Sequence, residues 1–208
     1  MKLQNTNQVL VVQRKEWAEI FGFETRNKYE IFDQNQKRIG FAAEQQKGLL
    51  GLLFRQLLGH WRSFEVHFFN EQRQQVMVSR HPFRFFFQEF HIFDQQGRQI
   101  GRCEQRFGVL TKKFDVYNEN NQFSLTMRSG FFKFWTFPLK DPNGQQRALI
   151  QKKWSGFFTE AFTDADKFLI TYEDPRLTAN ERLVVLALSI FTDLQYFERK
   201  ANSNIDID

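Results

Sequence analysis

The sequence is poor in several residue types, and each shortage excludes a class of protein. Its 208 residues contain a single cysteine, Cys103, which excludes an internal disulfide framework and favours a reducing compartment. Proline and methionine are also scarce, with 4 and 3 residues, and no low-complexity tract interrupts the chain. No long apolar run opens the N-terminus, so we expect no secretory signal and a location in the cytoplasm, peripheral to the cytoplasmic face of a membrane.

Long hydrophobic runs are absent as well. The segment Leu183–Phe191 is apolar at every position except Ser189. A transmembrane helix needs about twenty apolar residues, so this segment is too short to span a bilayer. Because no face of it suits water, we expect it to be buried inside a protein core.

The motifs of common enzyme classes are missing too. The sequence has no G-x-S-x-G elbow, Walker loop or dinucleotide-binding fingerprint. Its histidines lack the H-x-x-x-H or H-x-H spacing of metal sites, and Cys103 is expected on a strand, with nothing to mark it as a reactive thiol. We therefore predict no hydrolytic or redox site.

The 27 Phe residues of the chain favour strands. A repeat in the sequence predicts how these strands are connected. Residues 29–40, YEIFDQNQKRIG, and residues 90–101, FHIFDQQGRQIG, share alternating apolar and polar residues, a polar turn and a closing Ile-Gly pair. Each copy predicts a β-hairpin. Looser copies follow at residues 64–78, 114–127 and 137–150. Five hairpins predict about ten strands, whose apolar face two packed sheets or a closed barrel would bury.

Residues 181–198 are predicted to form a helix. Thr178 and Glu181 have the T-x-x-E spacing of a capping box, and Pro175 ends the preceding element. Because the helix is apolar on all sides, a barrel of strands wrapped around it would cover the helix and the apolar strand faces together. The residues expected to form its buried core are Leu183, Leu186, Ala187, Ile190, Phe191 and Leu194.

Residues 49–61, LLGLLFRQLLGHW, break the strand pattern and predict a short amphipathic helix. Two interpretations stay open for this segment: it closes one end of the barrel, or it lies on a membrane surface. In the second case the residues in contact with lipid are Leu50, Phe54, Leu57, Leu58 and Trp61.

Three segments resemble signature sequences of the phospholipid scramblase family, and the resemblance continues to Glu198. They are residues 22–31, GFETRNKYEI, residues 41–44, FAAE, and residues 152–168, KKWSGFFTEAFTDADKF. The family's fold is similar to that of tubby-like, LURP-one-related proteins. This implies a mainly β single domain over residues 9–198, a closed barrel of about twelve antiparallel strands around a central hydrophobic C-terminal helix. Residues 199–208 are expected to form a polar tail.

The resemblance implies a membrane-associated protein that moves phospholipids in both directions between leaflets with calcium stimulation. Tubby-like relatives imply phosphoinositide binding. The chain departs from eukaryotic scramblases in lacking their proline-rich N-terminal extension. Residues 49–61 also stand where those proteins carry a cysteine cluster that receives lipid chains. We expect lipid contact by this segment to replace acylation.

A calcium site is only weakly indicated. Asp164 and Asp166 occupy the first and third positions of a twelve-residue loop that the resemblance implicates in calcium binding. The fifth, ninth and twelfth positions are Phe168, Tyr172 and Pro175, which do not supply the ligands of an EF-hand. We expect Ca²⁺ affinity on the order of millimolar at best. The two aspartates fit a polar turn before a strand better than they fit a calcium site.

Basic residues give the chain a net charge of +5 and an isoelectric point near 9.4, which favours anionic partners. If the barrel gathers them at one end, they would bind lipid head groups. The candidates are Arg98, Arg102, Arg106, Lys112, Lys113, Lys152 and Lys153. Nucleic acid is the second candidate ligand for the same residues. Each cluster is also compatible with an ordinary solvent-exposed strand face.

The sequence thus predicts a scramblase-family protein that binds anionic phospholipids at a membrane surface, with transbilayer lipid movement as the activity that the resemblance implies. A homo-oligomer is compatible with this prediction. The alternative is a soluble tubby-like module or scaffold for phosphoinositide, nucleic acid or protein, without translocation activity.

Overall fold

The structure of the protein is a computed structural model that describes residues 1, 3–14, 25–45, 63–107, 112–129, 135–153 and 166–196. Within these ranges the chain forms twelve strands and one helix. The strands are β1 Gln8–Arg14, β2 Thr25–Asp33, β3 Arg38–Gln45, β4 Phe64–Asn70, β5 Gln75–His81, β6 Glu89–Asp94, β7 Gln99–Arg106, β8 Lys113–Asn118, β9 Phe123–Arg128, β10 Thr136–Lys140, β11 Gln146–Lys153 and β12 Lys167–Tyr172; the helix, α1, is Ala179–Tyr196.

All five predicted hairpins are present and close with the same kind of turn. In the β6–β7 turn, the Asp94 N–H donates to the Arg98 carbonyl oxygen, and the Gly97 N–H donates to the Asp94 carbonyl oxygen. The Asp94 carboxylate accepts two further backbone N–H groups, from Gln96 and Arg98, both at 2.9 Å. The same backbone bonds recur in the other four turns, which also open on Asp or Asn. Each turn is a three-residue hairpin loop with a left-handed third residue.

The twelve strands form one closed barrel in which every pair of neighbours is antiparallel, which confirms the predicted fold. Consecutive strands pair in chain order, and β1 completes the barrel by pairing with β12. The alternation expected for a sheet with one dry face is visible in β4. Phe64 and Phe68 are buried there, whereas Glu65 and His67 are partly exposed.

Helix α1 runs through the barrel and is buried by it. The Glu181 N–H donates to the Thr178 hydroxyl at 3.1 Å, and the Thr178 N–H donates to the Glu181 carboxylate at 2.9 Å, which is the predicted capping box. Every residue from Val184 to Gln195 is buried, whereas Leu183 is only partly so. The central helix of the predicted fold is therefore confirmed.

Several polar side chains inside the barrel have hydrogen-bond partners that offset the cost of burial. The buried Arg182 guanidinium donates to the carbonyl oxygens of Thr6 at 2.8 Å and Leu177 at 3.2 Å. The Tyr29 hydroxyl donates to the buried Asp193 carboxylate at 2.9 Å. These bonds connect the helix to the segment that precedes β1 and to strand β2.

The antiparallel order gives the barrel two different ends. The turn end carries the five hairpin turns, and α1 begins there after β12. The opposite end, which we call the loop end, carries the connection formed by residues 82–88 and the strand termini Arg106, Lys113 and Arg128. Within the described ranges, no helix has the length and apolar character needed to cross a membrane. The predicted lipid-contact segment, residues 49–61, and the predicted tail, residues 199–208, lie outside the described residues.

Candidate functional site

The predicted head-group cations do not gather as a single set. Arg98 lies at the turn end, where its guanidinium contacts the Asp94 carboxylate at 2.8 Å. The other predicted cations lie along β7 or toward the loop end. Arg98 is therefore separated by the height of the barrel from the cations at the loop end. Arg102 lies between the two ends, and its guanidinium donates to the Asn121 side chain of a hairpin turn at 2.9 Å.

Lys152 and Lys153 lie at the loop end of β11. The Lys152 ammonium is 2.9 Å from the Asp166 carboxylate, and the Lys152 side chain is only 6% exposed. Lys153 is half-buried and lies opposite Lys167 of β12.

Asp166, one of the two predicted calcium ligands, thus has a lysine as its neighbour, and Asp164 lies outside the described residues. In the part of the chain that the structure describes, no three His, Cys, Asp or Glu side chains are placed to hold a metal ion.

Arg102 and Arg106 belong to an ion-pair network on the outer face of β7 and β8. The Arg106 guanidinium contacts Asp115 at 2.7 Å and Glu104 at 3.2 Å. Its hydrogen bond to Asp115 raises the pKa of Arg106. Arg102 contacts Glu104 as well, and its guanidinium lies 4.3 Å from the centroid of the Tyr117 ring. Both arginines are therefore partly neutralised by carboxylates.

Three cations lie side by side on neighbouring strands at the loop end. Arg106 of β7 lies opposite Lys113 of β8, which in turn lies opposite Arg128 of β9. Among the described residues, no carboxylate pairs with Lys113 or Arg128. We call Arg106, Lys113 and Arg128 the cation row. Because like charges opposite each other destabilise a sheet, an anion bound to the row would relieve a repulsion within the fold.

Lys112 lies beside the cation row and faces the end of the central helix. Its ammonium is 3.4 Å from the centroid of the Tyr196 ring, close enough for a cation–π contact. Burial raises the pKa of the Tyr196 hydroxyl. Lys112 thus links the surface cations to the C-terminal end of α1.

An exposed aromatic surface adjoins the cation row. Phe85, Phe86 and Phe87 are 58%, 85% and 55% exposed, and Phe107, directly after Arg106, is 79% exposed. Residues 83–87 and Arg106 line one groove of about 570 Å³, so the aromatic and basic surfaces are continuous. We call the aromatic patch the set Phe83, Phe85, Phe86, Phe87 and Phe107.

The sequence prediction did not include the aromatic patch or Arg128. Residues 83–87 read FRFFF, and they lack the alternating polar residues of a half-buried strand. Four phenylalanines in a short connection between two strands are the signal that could have identified the patch. Single exposed apolar residues are common on protein surfaces, whereas clusters of them mark interaction sites.

Comparison with known proteins assigns the family. The family model named Scramblase matches residues 1–199 of the chain. The chain belongs to the scramblase family. This scramblase-family chain is 31% identical to Phospholipid scramblase 1 of Rattus norvegicus over an alignment that covers 96% of the chain. It is 28% identical to Phospholipid scramblase 2 of Homo sapiens over 95% of the chain. Altered inheritance rate of mitochondria protein 25 of Saccharomyces cerevisiae is 23% identical over 94% of it.

These scramblase-family relatives are longer than the present chain, which spans 62% of the rat protein, 69% of the human protein and 72% of the yeast protein. None of the three names denotes a hydrolytic or redox enzyme. The chain is also similar to a solved structure, the X-ray structure of protein AT5G01750 of Arabidopsis thaliana. That similarity has a TM-score of 0.48 and 11% identity over 89% of this chain and 90% of the other.

Proposed function

We propose that this scramblase-family protein binds anionic phospholipids at a membrane surface, on the cytoplasmic face, through the loop end of its barrel. The cation row is the observation that supports the proposal. Arg106, Lys113 and Arg128 are cross-strand neighbours, and the last two have no carboxylate partner among the described residues. A basic residue near an anionic membrane contributes about 1 kcal/mol. A bound phosphate would also reduce the repulsion within the row.

The predicted head-group residues do not all take part in this proposal. Three of them, Arg106, Lys112 and Lys113, lie at the loop end, where we propose that the lipid binds. Arg128, which the sequence prediction did not include, lies beside them. Arg98 lies at the turn end. The Lys152 side chain is only 6% exposed and its ammonium contacts Asp166 at 2.9 Å, whereas the Arg106 side chain is 44% exposed despite its carboxylate contacts. We therefore assign head-group contacts to the cation row and to Lys112, and none to Arg98 or Lys152. Lipid contact by residues 49–61 stays a prediction.

We also propose that membrane binding serves the movement of phospholipids in both directions between leaflets. The names of the relatives support this activity, since those in rat and mouse are phospholipid scramblases. A charged head group inside the hydrocarbon costs several kcal/mol or more, and the described helix could not cross the bilayer to shelter it. We place translocation in a homo-oligomer or in a local disturbance of the bilayer around the bound protein.

Vesicle co-sedimentation tests the binding step. Replacing two attractive charges by repulsive ones, Lys113→Glu with Arg128→Glu, should weaken binding to phosphatidylserine-containing vesicles by about tenfold or more. The matched control is Lys37→Glu with Lys140→Glu, which makes the same change of charge at the turn end. Equal binding by the Lys113/Arg128 variant and the wild type would refute the cation row as the binding site.

Nucleic acid is the competing ligand for the same cations. Salt weakens both modes of binding, so the comparison belongs at physiological ionic strength. Anionic vesicles and an oligonucleotide at equal phosphate concentration should compete, and we expect the vesicles to retain the protein. Release of the protein from vesicles by the oligonucleotide would favour a nucleic-acid-binding module.

Reconstitution tests the translocation step. Vesicles carry a fluorescent lipid whose outer-leaflet signal is quenched chemically, with and without Ca²⁺. We expect protein-containing vesicles to expose inner-leaflet lipid faster than empty vesicles, and Ca²⁺ to act only near millimolar concentrations, given the two predicted aspartate ligands. A rate equal to that of empty vesicles would leave membrane binding as the function.

A further inference from the structure

The phenylalanines of the aromatic patch pack against each other and are nevertheless exposed to solvent. Phe83 and Phe85 pack edge to face with ring centroids 4.8 Å apart, and Phe86 lies outermost at 85% exposure. A folded protein rarely leaves such a cluster in contact with water unless an apolar partner covers it. The patch therefore indicates an interaction surface.

The base of the connection is fixed to the barrel. The buried Gln88 side chain contacts His81 Nε2 through its Oε1 at 2.7 Å, and its Nε2 donates to the Phe86 carbonyl oxygen at 3.0 Å. The Gln105 N–H donates to the Gln88 carbonyl oxygen at 2.8 Å. The His81 ring stacks on Phe64 of the core, with centroids 4.7 Å apart. The phenylalanines are thus presented by a connection that the core holds in place.

The charges around the patch indicate what covers it. Arg84 lies within the patch and pairs with Glu89, and Arg106 lines the same groove as the phenylalanines, where it pairs with Glu104. Among the described residues, the unpaired positive charge beside the patch therefore comes from the neighbouring strands. Lys113 and Arg128 follow on the next two strands. An apolar aromatic surface bordered by cations matches an anionic bilayer, which offers acyl chains below a layer of phosphate.

A second copy of the chain matches this surface poorly. A symmetric dimer places the same surface of both copies in contact. An interface that buries the whole surface would therefore contain two cation rows, and like charges in one interface oppose association. The bilayer satisfies the aromatic and the basic parts of the surface at once.

We infer that the aromatic patch is a membrane-inserting surface, whose phenylalanines enter the boundary between head groups and acyl chains while the cation row contacts the phosphates above them. The inference rests on the proposed function, because it names the element that anchors the same end of the barrel.

A site-specific fluorophore tests the insertion. Cys103 is the single cysteine of the sequence and is buried, so Cys103→Ser provides a background for labelling. Phe86→Cys then carries an environment-sensitive dye on the patch. Phe123→Cys carries it on an exposed phenylalanine at the turn end, 42% exposed, as the matched control. On phosphatidylcholine–phosphatidylserine vesicles, the dye at position 86 should shift to the blue and be quenched by lipids brominated in their acyl chains. The dye at position 123 should do neither.

Unlabelled variants test the energetic contribution. Phe86→Ser with Phe87→Ser should weaken partitioning into the same vesicles by about tenfold or more, because two large apolar side chains lose their burial in lipid. Phe123→Ser should leave partitioning unchanged. The thermal unfolding temperature without vesicles should stay close to that of the wild type, since both side chains are mostly exposed in the free protein.

The outcomes separate this inference from the proposed function. If the bound protein keeps the dye at position 86 in a polar, unquenched environment, the inference is wrong and the proposed function stands. If neither the wild type nor the variants bind anionic vesicles, both are wrong. A blue shift without vesicles that grows with protein concentration would overturn the inference in favour of contact between copies of the chain.

Discussion

At the residue scale, three of the five hairpin turns place a side chain where the backbone favours glycine. Gln36, Arg73 and Asn121 have φ angles of 61°, 59° and 59°. Gly97 and Gly144 occupy the corresponding positions of the other two turns. The left-handed region costs a residue with a Cβ roughly 1–2 kcal/mol relative to the right-handed one. These turns therefore store strain that the hairpin bonds offset.

Replacing the exposed Gln36 by glycine should relieve this strain. We expect Gln36→Gly to raise the free energy of unfolding by about 0.5–1 kcal/mol, part of the gain being offset by the greater freedom of glycine in the unfolded chain. Gly97→Ala should lower it by a similar amount, although no atom lies within 4 Å of the added Cβ. Urea unfolding measures both. A lower midpoint for Gln36→Gly would show that the glutamine side chain contributes a stabilising contact.

The Asp174 carboxylate connects the segment before α1 to the barrel and gives stability a dependence on pH. It accepts from the Arg176 guanidinium at 2.7 Å and lies 2.7 Å from Arg147 Nε. The hydrogen bonds from Arg176, together with the charge of Arg147, hold the pKa of Asp174 well below its usual range. A carboxyl group with a lowered pKa in the folded state stabilises the protein above its unfolded pKa, and this contribution is lost as the pH falls below that value.

Asp174→Asn should therefore lower the unfolding temperature at neutral pH and reduce its decline on acidification. The difference from the wild type should shrink from about pH 4, the usual pKa of an aspartate, downward. Thermal unfolding of both proteins between about pH 7 and about pH 2 measures it. Two parallel curves over that range would contradict the assignment.

At the scale of elements, α1 is the core of the barrel, which predicts how it responds to a charge. Leu186 is fully buried, whereas Leu183 on the same helix is partly exposed. An unpaired carboxylate at position 186 should cost several kcal/mol, comparable with the total stability of a domain. Leu186→Asp should therefore unfold the protein by circular dichroism, and Leu183→Asp should only lower its unfolding temperature. A folded, soluble Leu186→Asp variant would contradict the buried position of the helix.

The hairpins and the helix could be predicted because their signals are local. Each turn opens on an Asp or Asn, the flanking residues alternate, and Thr178 and Glu181 stand at capping-box spacing. The glycine that ends the second clear repeat also has a packing reason. A Cβ on Gly101 would overlap the Val184 side chain of α1, so the glycine allows the helix to approach β7.

Closure of the barrel and composition of the site could not be predicted from local patterns. The pairing of β1 with β12 joins the two ends of the fold, and only the family resemblance indicated it. The cation row depends on the register of three strands, which brings Arg128 beside Lys113 and leaves Arg98 at the opposite end. Grouping cations by their proximity in the sequence placed Arg98 in the set and omitted Arg128.

At the scale of the whole molecule, the two ends of the barrel have different chemistry. The turn end carries short polar turns that open on Asp or Asn. The loop end combines the aromatic patch with the cation row. The helix between them is enclosed by the strands, so the proposed membrane contact uses the loop end and not the helix.

Hydrogen–deuterium exchange of the unmodified protein, with and without phosphatidylserine-containing vesicles, tests this account most directly. Binding through the loop end should slow exchange in residues 83–88, 106–107 and 112–113, because lipid excludes water from their amides. The hairpin turn around Gly97 should exchange at its original rate, and α1 should stay as protected as in the free protein. Slower exchange at the hairpin turns, or loss of protection in α1 on binding, would contradict the account.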